Sequence, residues 1–407
     1  MSKLYKYLKL LEGGAFGHLA NIFDNVYFTF GDLKDITKKT LSGDLEYVWI
    51  KTDGQNLMVS WIDGEIRFAR NKSHLKNYGE NSMTTSELAS KFAGRGGLTD
   101  AFNNAAIDLG NAISNLTDKQ RDKIFKNGKK FISIEVMYTE SENIVHYGVN
   151  EIRFHGTNEY DIDGNVIDTN QEDGRILGGM IKQVKQDRQD TYQIKSLEKA
   201  QLPKIPDFDD QVKRINKEIN RIRSRFRLSD SNTIQEYKDK YFIELMKDKG
   251  IPFKQELLDR WSKYNKKYTL RDVKNDYSPE DYKKIKEIED NIKDYQKDCL
   301  LPLEKVILDL GATALNNLQN FMVINPDETI QRTRKRLESA IEDIRSRGTP
   351  KMIKKLHLEL ERLEAAGGVE KISPEEGITF MLGDQLYKLT GTFASLNQII
   401  NLTWQLE

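Results

Sequence analysis

Hydrophobic and polar positions follow two different periods in this chain. Up to about residue 193, short apolar runs rich in β-branched and aromatic residues alternate with glycine, asparagine and aspartate turns, a pattern typical of β-strands. One helical stretch interrupts them from about residue 86 to 125, where Leu109, Ile113 and Leu116 recur at helical spacing. The predicted strands are 47–50, 57–61, 65–69, 131–138 and 151–157.

A highly charged helical pattern begins after Pro203 and Pro206 and continues to about Ala366. Apolar residues at every third or fourth position predict amphipathic helices there. Three such stripes are Ile215, Ile219, Ile222 and Phe226; Ile285, Ile288, Ile292 and Tyr295; and Ile353, Leu356, Leu360 and Leu363. After Ile372 the pattern is strand-like again, at 377–381 and 385–389. We therefore predict an α+β fold in which a helical region, 201–370, is inserted between two parts, 1–200 and 371–407, of one β-rich domain.

Composition limits the class of protein. The 407 residues, 38% of them hydrophobic, can bury a substantial core. The 63 basic and 63 acidic residues balance, so any site for a polyanion has to be a local patch. A single cysteine, Cys299, excludes an internal disulfide framework and favours a reducing compartment. Because no signal peptide and no bilayer-spanning apolar run are recognisable, we expect a cytoplasmic protein with no membrane partner.

The segment Lys51-Thr52-Asp53-Gly54 directly follows the apolar run 47–50. A lysine at the end of a strand, followed by an Asp-Gly turn, is held at the rim of a sheet. A nucleophilic lysine needs burial or cationic neighbours to lower its pKa. Taken alone, an Asp-Gly turn after a strand is usually a hairpin that has no chemistry.

Four more charged residues lie in or beside predicted strands: Arg70 after 65–69, Glu135 within 131–138, Glu376 before 377–381, and Lys388 within 385–389. Surface ion pairs explain most strand-end arginines. A glutamate in an otherwise apolar strand is costly to bury unless it is paired or binds something.

This ordered set resembles the covalent nucleotidyltransferase superfamily of polynucleotide ligases and RNA capping enzymes. The resemblance implies a ligase-type nucleotidyltransferase (adenylation) domain of antiparallel sheets with a large inserted helical region. It also implies that Lys51 takes up the nucleotide, that Asp53-Gly54 completes the same motif, and that backbone near Trp49 and Ile50 selects the base.

The resemblance assigns roles to the other charged residues as well. Arg70 is similar to an arginine that contacts the nucleotide, and Lys388 to a lysine that contacts its phosphates. Glu135 matches a glutamate that engages the ribose, and Glu376 one that binds the metal. The aromatic residue that stacks on the base corresponds to Phe154, with Tyr160 as the competing assignment.

An RNA ligase is the closest match within this superfamily. The resemblance implies ATP and Mg²⁺, a lysyl-AMP intermediate, and joining of 5′-phosphate to 3′-hydroxyl ends at RNA ends or nicks. Lys388-Leu389 is followed by Thr390 where many ligases have a second lysine, and the chain ends at Glu407 where DNA ligases and capping enzymes continue into an OB-fold. A DNA ligase that seals nicks and a catalytically silent nucleic-acid-binding module are the alternatives.

Two basic clusters lie in the helical region. Residues 212–227 carry Lys213, Arg214, Lys217, Arg221, Arg223, Arg225 and Arg227 against the single acid Glu218. This cluster could grip a phosphate backbone, or acids of other helices such as Glu280, Asp281, Glu287 and Glu289 could neutralise it. The second cluster, Arg332, Arg334, Lys335 and Arg336, is followed by Glu338, Glu342 and Asp343, so we predict intrahelical ion pairs there.

Three further features receive structural explanations. The glycine-rich stretch 13–18 lacks the Gly-Lys-Ser/Thr ending of a phosphate-binding loop. His74 follows Arg70 closely, and we expect it to be hydrogen-bonded in a structural role. Residues 161–165 resemble the start of a calcium loop but fit a turn between strands better, because the glutamate at the twelfth position is missing.

Overall fold

A computed structural model describes residues 19–183, 191–383 and 385–406 of the protein. The glycine-rich stretch 13–18 lies outside the described residues. The fold is mixed α+β, as the hydrophobic pattern predicts. None of the described helices is both long and apolar enough to cross a membrane.

The strands and helices are numbered in chain order. The strands are β1 (Ala20–Asn21), β2 (Glu46–Lys51), β3 (Gln55–Ile62), β4 (Glu65–Ala69), β5 (Lys130–Met137), β6 (Glu151–Tyr160), β7 (Val166–Asn170), β8 (Gln193–Ser196), β9 (Gly377–Leu382) and β10 (Gln385–Leu389). The helices are α1 (Phe30–Ser42), α2 (Lys76–Gly79), α3 (Thr85–Phe92), α4 (Gly97–Ser114), α5 (Asp118–Phe125), α6 (Glu172–Gln183), α7 (Phe208–Ser224), α8 (Ile234–Asp248), α9 (Gln255–Ser262), α10 (Leu270–Asp276), α11 (Pro279–Asp290), α12 (Ile292–Leu315), α13 (Pro326–Arg347), α14 (Pro350–Ala365) and α15 (Phe393–Leu402).

The predicted strands all form, with ends that differ by a few residues at most. The stretch predicted as one helix from about 86 to 125 is divided into α3, α4 and α5. Thr84 and Thr117 begin new helices at α3 and α5 because each is an N-cap with a capping box.

The strands belong to two sheets. One sheet has the order β4-β3-β5-β6-β7, with β8 added parallel to β6, and the other has the order β1-β10-β9-β2. Because β2 pairs with β9 while β3 pairs with β4 and β5, residues 51–54 cross from one sheet to the other. The hairpin interpretation of this segment is therefore wrong.

Helices α3 to α6 cover one face of the larger sheet. Alternate residues of its strands, among them Leu57, Ile134 and Phe154, pack there against Phe102 and Leu109 of α4. The opposite face of this sheet turns toward the smaller sheet and leaves a cleft between them.

The inserted helices share hydrophobic cores with the β-rich parts. Ile219 of α7 and Leu303 of α12 are buried in one cluster with Ile378 of β9. A second cluster joins α13 and α14 to α15 and to Ile50 of β2. At the tip of the region, from Phe242 to Ile288, the buried residues form a cluster of their own.

We expect Ile219→Ala in α7 and Ile378→Ala in β9 to weaken one and the same unfolding transition. Both side chains are fully buried in a shared core, so each truncation should lower the free energy of unfolding by about 2–5 kcal/mol. Denaturant unfolding monitored by tryptophan fluorescence and by circular dichroism measures this. Ile107→Ala, at an exposed site on α4, is the control. A separate transition affected by Ile219→Ala alone would contradict the shared core.

Candidate active site

A cleft of about 420 Å³ lies between the two sheets. The larger sheet contributes Asn56, Met58, Ser133, Glu135 and His155 to its wall, and the smaller sheet contributes Trp49, Ile50, Lys51, Thr379, Leu386 and Lys388. Arg70, Gln171, Leu197, Glu376 and Asn397 complete the lining with Leu19. A volume of this size is typical of small-molecule sites.

Lys51 and Glu376 form an ion pair at the centre of the cleft. Lys51 is paired with Gly377 in the β2–β9 ladder, so Glu376, one residue earlier, lies beside the lysine. The Lys51 Nζ atom is 2.7 Å from the Glu376 carboxylate, and the two side chains are only 18% and 12% exposed. Two buried charges in contact each require the other, because neither has water to stabilise it.

The neighbours of Lys51 do not hold it neutral in the free protein. Burial by itself lowers the pKa of Lys51, but Glu376, Glu135 and Asp53 outweigh burial and raise the pKa above the ordinary lysine value of 10.5. The lowered pKa that a nucleophilic lysine needs is therefore not present in the protein without ligand. Activation of the lysine requires that Glu376 accept a proton or be drawn away.

Asp53 anchors a neighbouring loop and does not face the cleft. Its carboxylate accepts hydrogen bonds from the backbone N–H groups of Ile144 and Val145 at 2.6 and 2.9 Å, and the Asn143 side chain donates a third. The backbone N–H of Asp53 donates to the Tyr147 hydroxyl at 2.6 Å. Burial raises the pKa of Asp53 despite these bonds. We therefore assign Asp53 a positioning role.

Gly54 is required by the close approach of Glu135. A Cβ atom at position 54 would lie 2.9 Å from Oε2 of Glu135 and 3.0 Å from the carbonyl oxygen of Val136. The absence of a side chain at Gly54 thus lets the glutamate of β5 lie over the segment that connects the two sheets.

Glu135 and His155 face each other across the cleft floor with unused hydrogen-bonding atoms. Glu135 Oε1 is 4.0 Å from His155 Nε2, and Glu135 Oε2 and His155 Nε2 are buried without hydrogen-bond partners among the residues that the structure describes. Burial raises the pKa of Glu135 to about 8, although Lys51 opposes this. Burial, with Lys51 and Arg153, lowers the pKa of His155 to about 3. Buried polar atoms of this kind are normally paired, so the cleft floor offers two groups to a polar ligand.

Arg70 and Lys388 supply positive charge to the cleft. Neither has an ion-pair partner among residues 19–183, 191–383 and 385–406. The Arg70 guanidinium lies over the rings of Phe92 and Phe102, 5.4 and 5.2 Å from their centroids, which fixes its position. Burial lowers the pKa of both side chains, with Arg95 adding to the effect on Arg70 and Lys51 to that on Lys388. These two cations make the cleft receptive to an anion.

Phe154 does not line the cleft. It is 1% exposed and packs in the core beneath α4, so the prediction that it stacks on a base is corrected. Tyr160 is equally buried, in the cluster of Met58 and Phe131. Adjacent residues of a strand point to opposite faces, and the strand neighbour of Phe154 that reaches the cleft is His155. The sequence contained a signal for this orientation: Ile152 and Phe154 are apolar residues two positions apart, which places both on the buried face of the strand and His155 on the other.

Trp49 and Ile50 differ in what they offer. Both border the cleft, but Ile50 is fully buried and its backbone N–H donates to the carbonyl oxygen of Glu198 at 3.0 Å. The Trp49 ring is partly exposed and stacks on the exposed ring of Tyr47. Trp49 is therefore the residue of the two that can contact a base through its side chain.

The helical region holds the loop that Asp53 anchors. Thr329 of α13 donates to the carbonyl oxygen of His146 at 2.7 Å, and Arg336 donates to the carbonyl oxygen of Asn143. Just before α13, the backbone N–H groups of Met322 and Val323 donate to the buried carboxylate of Glu375. The region thus contacts residues on both sides of the Lys51–Glu376 pair.

In the first basic cluster, for which a phosphate grip and neutralisation by acids were both open, most of the basic side chains have acidic partners. The pairs are Lys213 with Asp210, Arg214 with Asp309, Arg221 with Glu218, Arg223 with Asp230, and Arg225 with Glu244. In the second cluster the partners are Glu328 for Arg332 and Glu370 for Arg334. Both sets of partners differ from those expected, but the structural interpretation is favoured at each cluster.

His74 and residues 161–165 have the structural roles expected of them. His74 Nδ1 accepts a hydrogen bond from the backbone N–H of Arg70 at 3.2 Å. The Asp161 carboxylate accepts hydrogen bonds from the backbone N–H groups of Asp163 and Asn165, which closes the turn between β6 and β7.

The cleft fits a metal ion only together with a ligand. Within the described part of the chain, no three His, Cys, Asp or Glu side chains are grouped so that they could hold a metal by themselves. Glu376 and the unpaired Glu135 Oε2 provide carboxylate oxygens. Mg²⁺ normally uses one or two carboxylates and takes its other ligands from substrate phosphates and water, so this donor set fits Mg²⁺ when phosphates are present.

Comparison with protein-family models gives no match for this chain. Comparisons with curated proteins and with solved structures give no match either.

We expect Glu135→Gln to remove a pH dependence of stability. The pKa of Glu135 rises from 4.5 to about 8 on folding, so between these values the folded protein keeps a proton that the unfolded chain has released. The contribution of Glu135 is fully present below about pH 4.5 and is lost as the pH rises through 8. The wild type should therefore lose up to about 1.4 kcal/mol per pH unit relative to the variant in this interval.

Denaturant unfolding of both proteins at closely spaced pH values tests this expectation. The matched control is Glu159→Gln, because Glu159 is also a strand glutamate but pairs with Lys126 at the surface. Parallel stability curves for wild type and Glu135→Gln would show that Glu135 titrates normally.

Proposed function

We propose that the protein is a ligase-type nucleotidyltransferase in which Lys51 takes up a nucleotide and passes it to a polynucleotide end. The observation that carries the proposal is a buried lysine, paired with Glu376 at 2.7 Å, in a cleft that also holds two unpaired cations. Residues from five separate stretches of the chain meet there in the combination that phosphoryl chemistry needs.

Arg70 and Lys388 are suited to neutralise a triphosphate. Transfer of a nucleotidyl group spreads negative charge over the phosphate oxygens and the departing pyrophosphate. Fixed cations in a cleft with little water stabilise that charge more strongly than they would in bulk solvent. Both side chains line the cleft and have no acidic partner in the described ranges.

Glu376 is placed to take a proton from Lys51. Burial raises the pKa of Glu376, which brings it closer to that of the lysine and makes transfer across the 2.7 Å contact less costly. The freed lone pair of Nζ then forms a bond to the α-phosphorus while the bond to the bridging oxygen breaks. Pyrophosphate leaves with that electron pair, the amine releases its second proton, and a lysyl phosphoramidate remains.

Mg²⁺ held by Glu376 and the phosphates would neutralise the charge of the leaving pyrophosphate. Glu376 cannot hold the proton of Lys51 and bind Mg²⁺ at the same time, so proton transfer to Glu376 and displacement of Glu376 toward Mg²⁺ are two alternative routes to a neutral Lys51. Any contact that draws Glu376 from Lys51 removes the largest influence that raises the lysine's pKa. Lys51 then releases its proton more readily, and its neutral amine lies where the α-phosphate binds.

The floor of the cleft is suited to the nucleoside. Glu135 Oε2 and His155 Nε2 offer the two unpaired atoms that ribose hydroxyls or base edges can satisfy. Trp49 offers a ring at the same site. ATP is the nucleotide expected from the resemblance, and His155 takes the place proposed for Phe154.

Transfer from Lys51 to a polynucleotide end would complete the reaction. An oxygen of a 5′-phosphate attacks the phosphorus on Lys51, the nitrogen–phosphorus bond breaks, and Lys51 recovers a proton. A 3′-hydroxyl then displaces the nucleotide and joins the ends. RNA is the proposed acceptor, because the resemblance is closest to RNA ligases.

We expect the protein to retain label from α-labelled ATP in the presence of Mg²⁺ after denaturation. Lys51→Ala should abolish this label because the acceptor nitrogen is gone. Lys388→Ala should lower the rate by about 100-fold, which is typical for removal of one group that stabilises transition-state charge. Gel autoradiography of denatured protein measures both effects.

Lys195→Ala is the matched control. Lys195 is also a strand lysine paired with a buried glutamate, but it lies outside the cleft lining, so label should be unchanged. Equal label on Lys51→Ala, or none on the wild type with ATP or GTP, would refute the proposed function. Preferential sealing of nicked DNA over RNA by the labelled protein would replace the RNA acceptor with DNA.

A further inference from the structure

Strand β2 contains a bulge just before the catalytic lysine. Glu46 pairs with Met381 and Trp49 with Thr379, so three steps along β2 match two steps along β9. Tyr47 lies in this bulge with φ at 49°. Bulge positions with such a backbone usually hold glycine, because a side chain there is strained. A tyrosine at this position therefore costs stability, and such strain is often found at functional sites.

The bulge turns the Tyr47 ring outward and onto Trp49. The two ring centroids are 6.1 Å apart with an angle of 24° between the planes. Tyr47 is 60% exposed, whereas Trp49 lines the cleft beside Lys51. The stacked pair thus extends from the cleft wall to the surface.

A lysine accompanies the aromatic pair. Trp49 forms an antiparallel bridge with Lys199, and side chains opposite each other in such a bridge lie on the same face. Lys199 has no ion-pair partner among the residues that the structure describes. Proteins that bind single-stranded nucleic acids use this combination: bases stack on the aromatic rings, and the adjacent cation contacts a phosphate.

We propose that Tyr47, Trp49 and Lys199 form a platform at the mouth of the cleft that binds an unpaired nucleobase of a single-stranded polynucleotide end. The proposal rests on the proposed function and specifies its acceptor. A base within a duplex has both faces covered by its neighbours, so it cannot stack on Tyr47 without being unpaired. The platform therefore favours single-stranded ends over nicks in a continuous duplex.

Binding of fluorescently labelled 5′-phosphorylated single-stranded RNA tests the platform by anisotropy. Tyr47→Asn removes the ring, and asparagine tolerates the positive φ better than most residues. We expect this variant to weaken binding about 10-fold or more, as for the loss of one stacked base. Tyr47→Phe keeps the ring and should bind like the wild type. Tyr264→Asn is the matched control, since Tyr264 is also half-exposed with φ at 55°, but its ring contacts Lys238 of α8, which does not line the cleft.

Three outcomes would overturn the proposal. Equal binding by Tyr47→Asn and Tyr264→Asn would show that the ring is not used. Equal weakening for a nicked duplex, in which the 5′ base is stacked between two neighbours, would remove the preference for single strands. An effect on the concentration of ATP needed for lysine labelling, with RNA binding unchanged, would assign the platform to the nucleotide's own base.

The binding assay does not depend on catalysis. If the wild type fails to take label on Lys51 but Tyr47→Asn still loses RNA binding, the platform stands and the transferase proposal fails. If label forms and RNA binding is insensitive to Tyr47, the transferase stands and the platform fails.

Discussion

The ion pair between Lys51 and Glu376 is the interaction on which the rest of the site depends. It joins the end of β2 to the start of β9 at the point where the chain crosses from one sheet to the other. A lone charge at this depth would be costly, because little water reaches it. The pair keeps Lys51 charged and aligned in the free protein. A ligand that competes for Glu376 would lower the pKa of Lys51.

The helical region holds the residues on both sides of this ion pair in place. Hydrogen bonds from α13 hold the loop 143–146, and that loop binds the carboxylate of Asp53 two residues after the lysine. On the other side, Met322 and Val323 donate to Glu375, the neighbour of Glu376. The hydrophobic clusters that the helical region shares with the β-rich parts also fix the region against the two strands that carry the pair. The region therefore supports the geometry of the cleft, whatever it also presents to a partner.

Local pattern predicted more of this structure than long-range pairing. Period-2 runs located the strands, and five charged residues in or beside strands, Lys51, Arg70, Glu135, Glu376 and Lys388, meet in one cleft. β2 pairs with β9, more than 300 residues later, and β3 pairs with β5, more than 70 residues later, so no local signal separates a β2–β3 hairpin from a crossing between sheets. Local pattern cannot predict the direction of the Lys51 pKa shift either, because Glu376, 325 residues later in the chain, determines it. That His155, and not Phe154, reaches the cleft could have been predicted from the sequence, because side chains alternate between the two faces of a strand.

The pKa of Lys51 measured in the free protein tests the account most directly. Side-chain NMR of isotopically labelled lysine, with the Lys51 signal assigned by Lys51→Arg, gives this value in the wild type and in Glu376→Gln. We predict a pKa above 10.5 in the wild type and a lower pKa in Glu376→Gln, where Glu135 and Asp53 remain to oppose burial but the paired carboxylate is gone. The same pKa in both proteins would show that Glu376 does not control the lysine and would contradict the account.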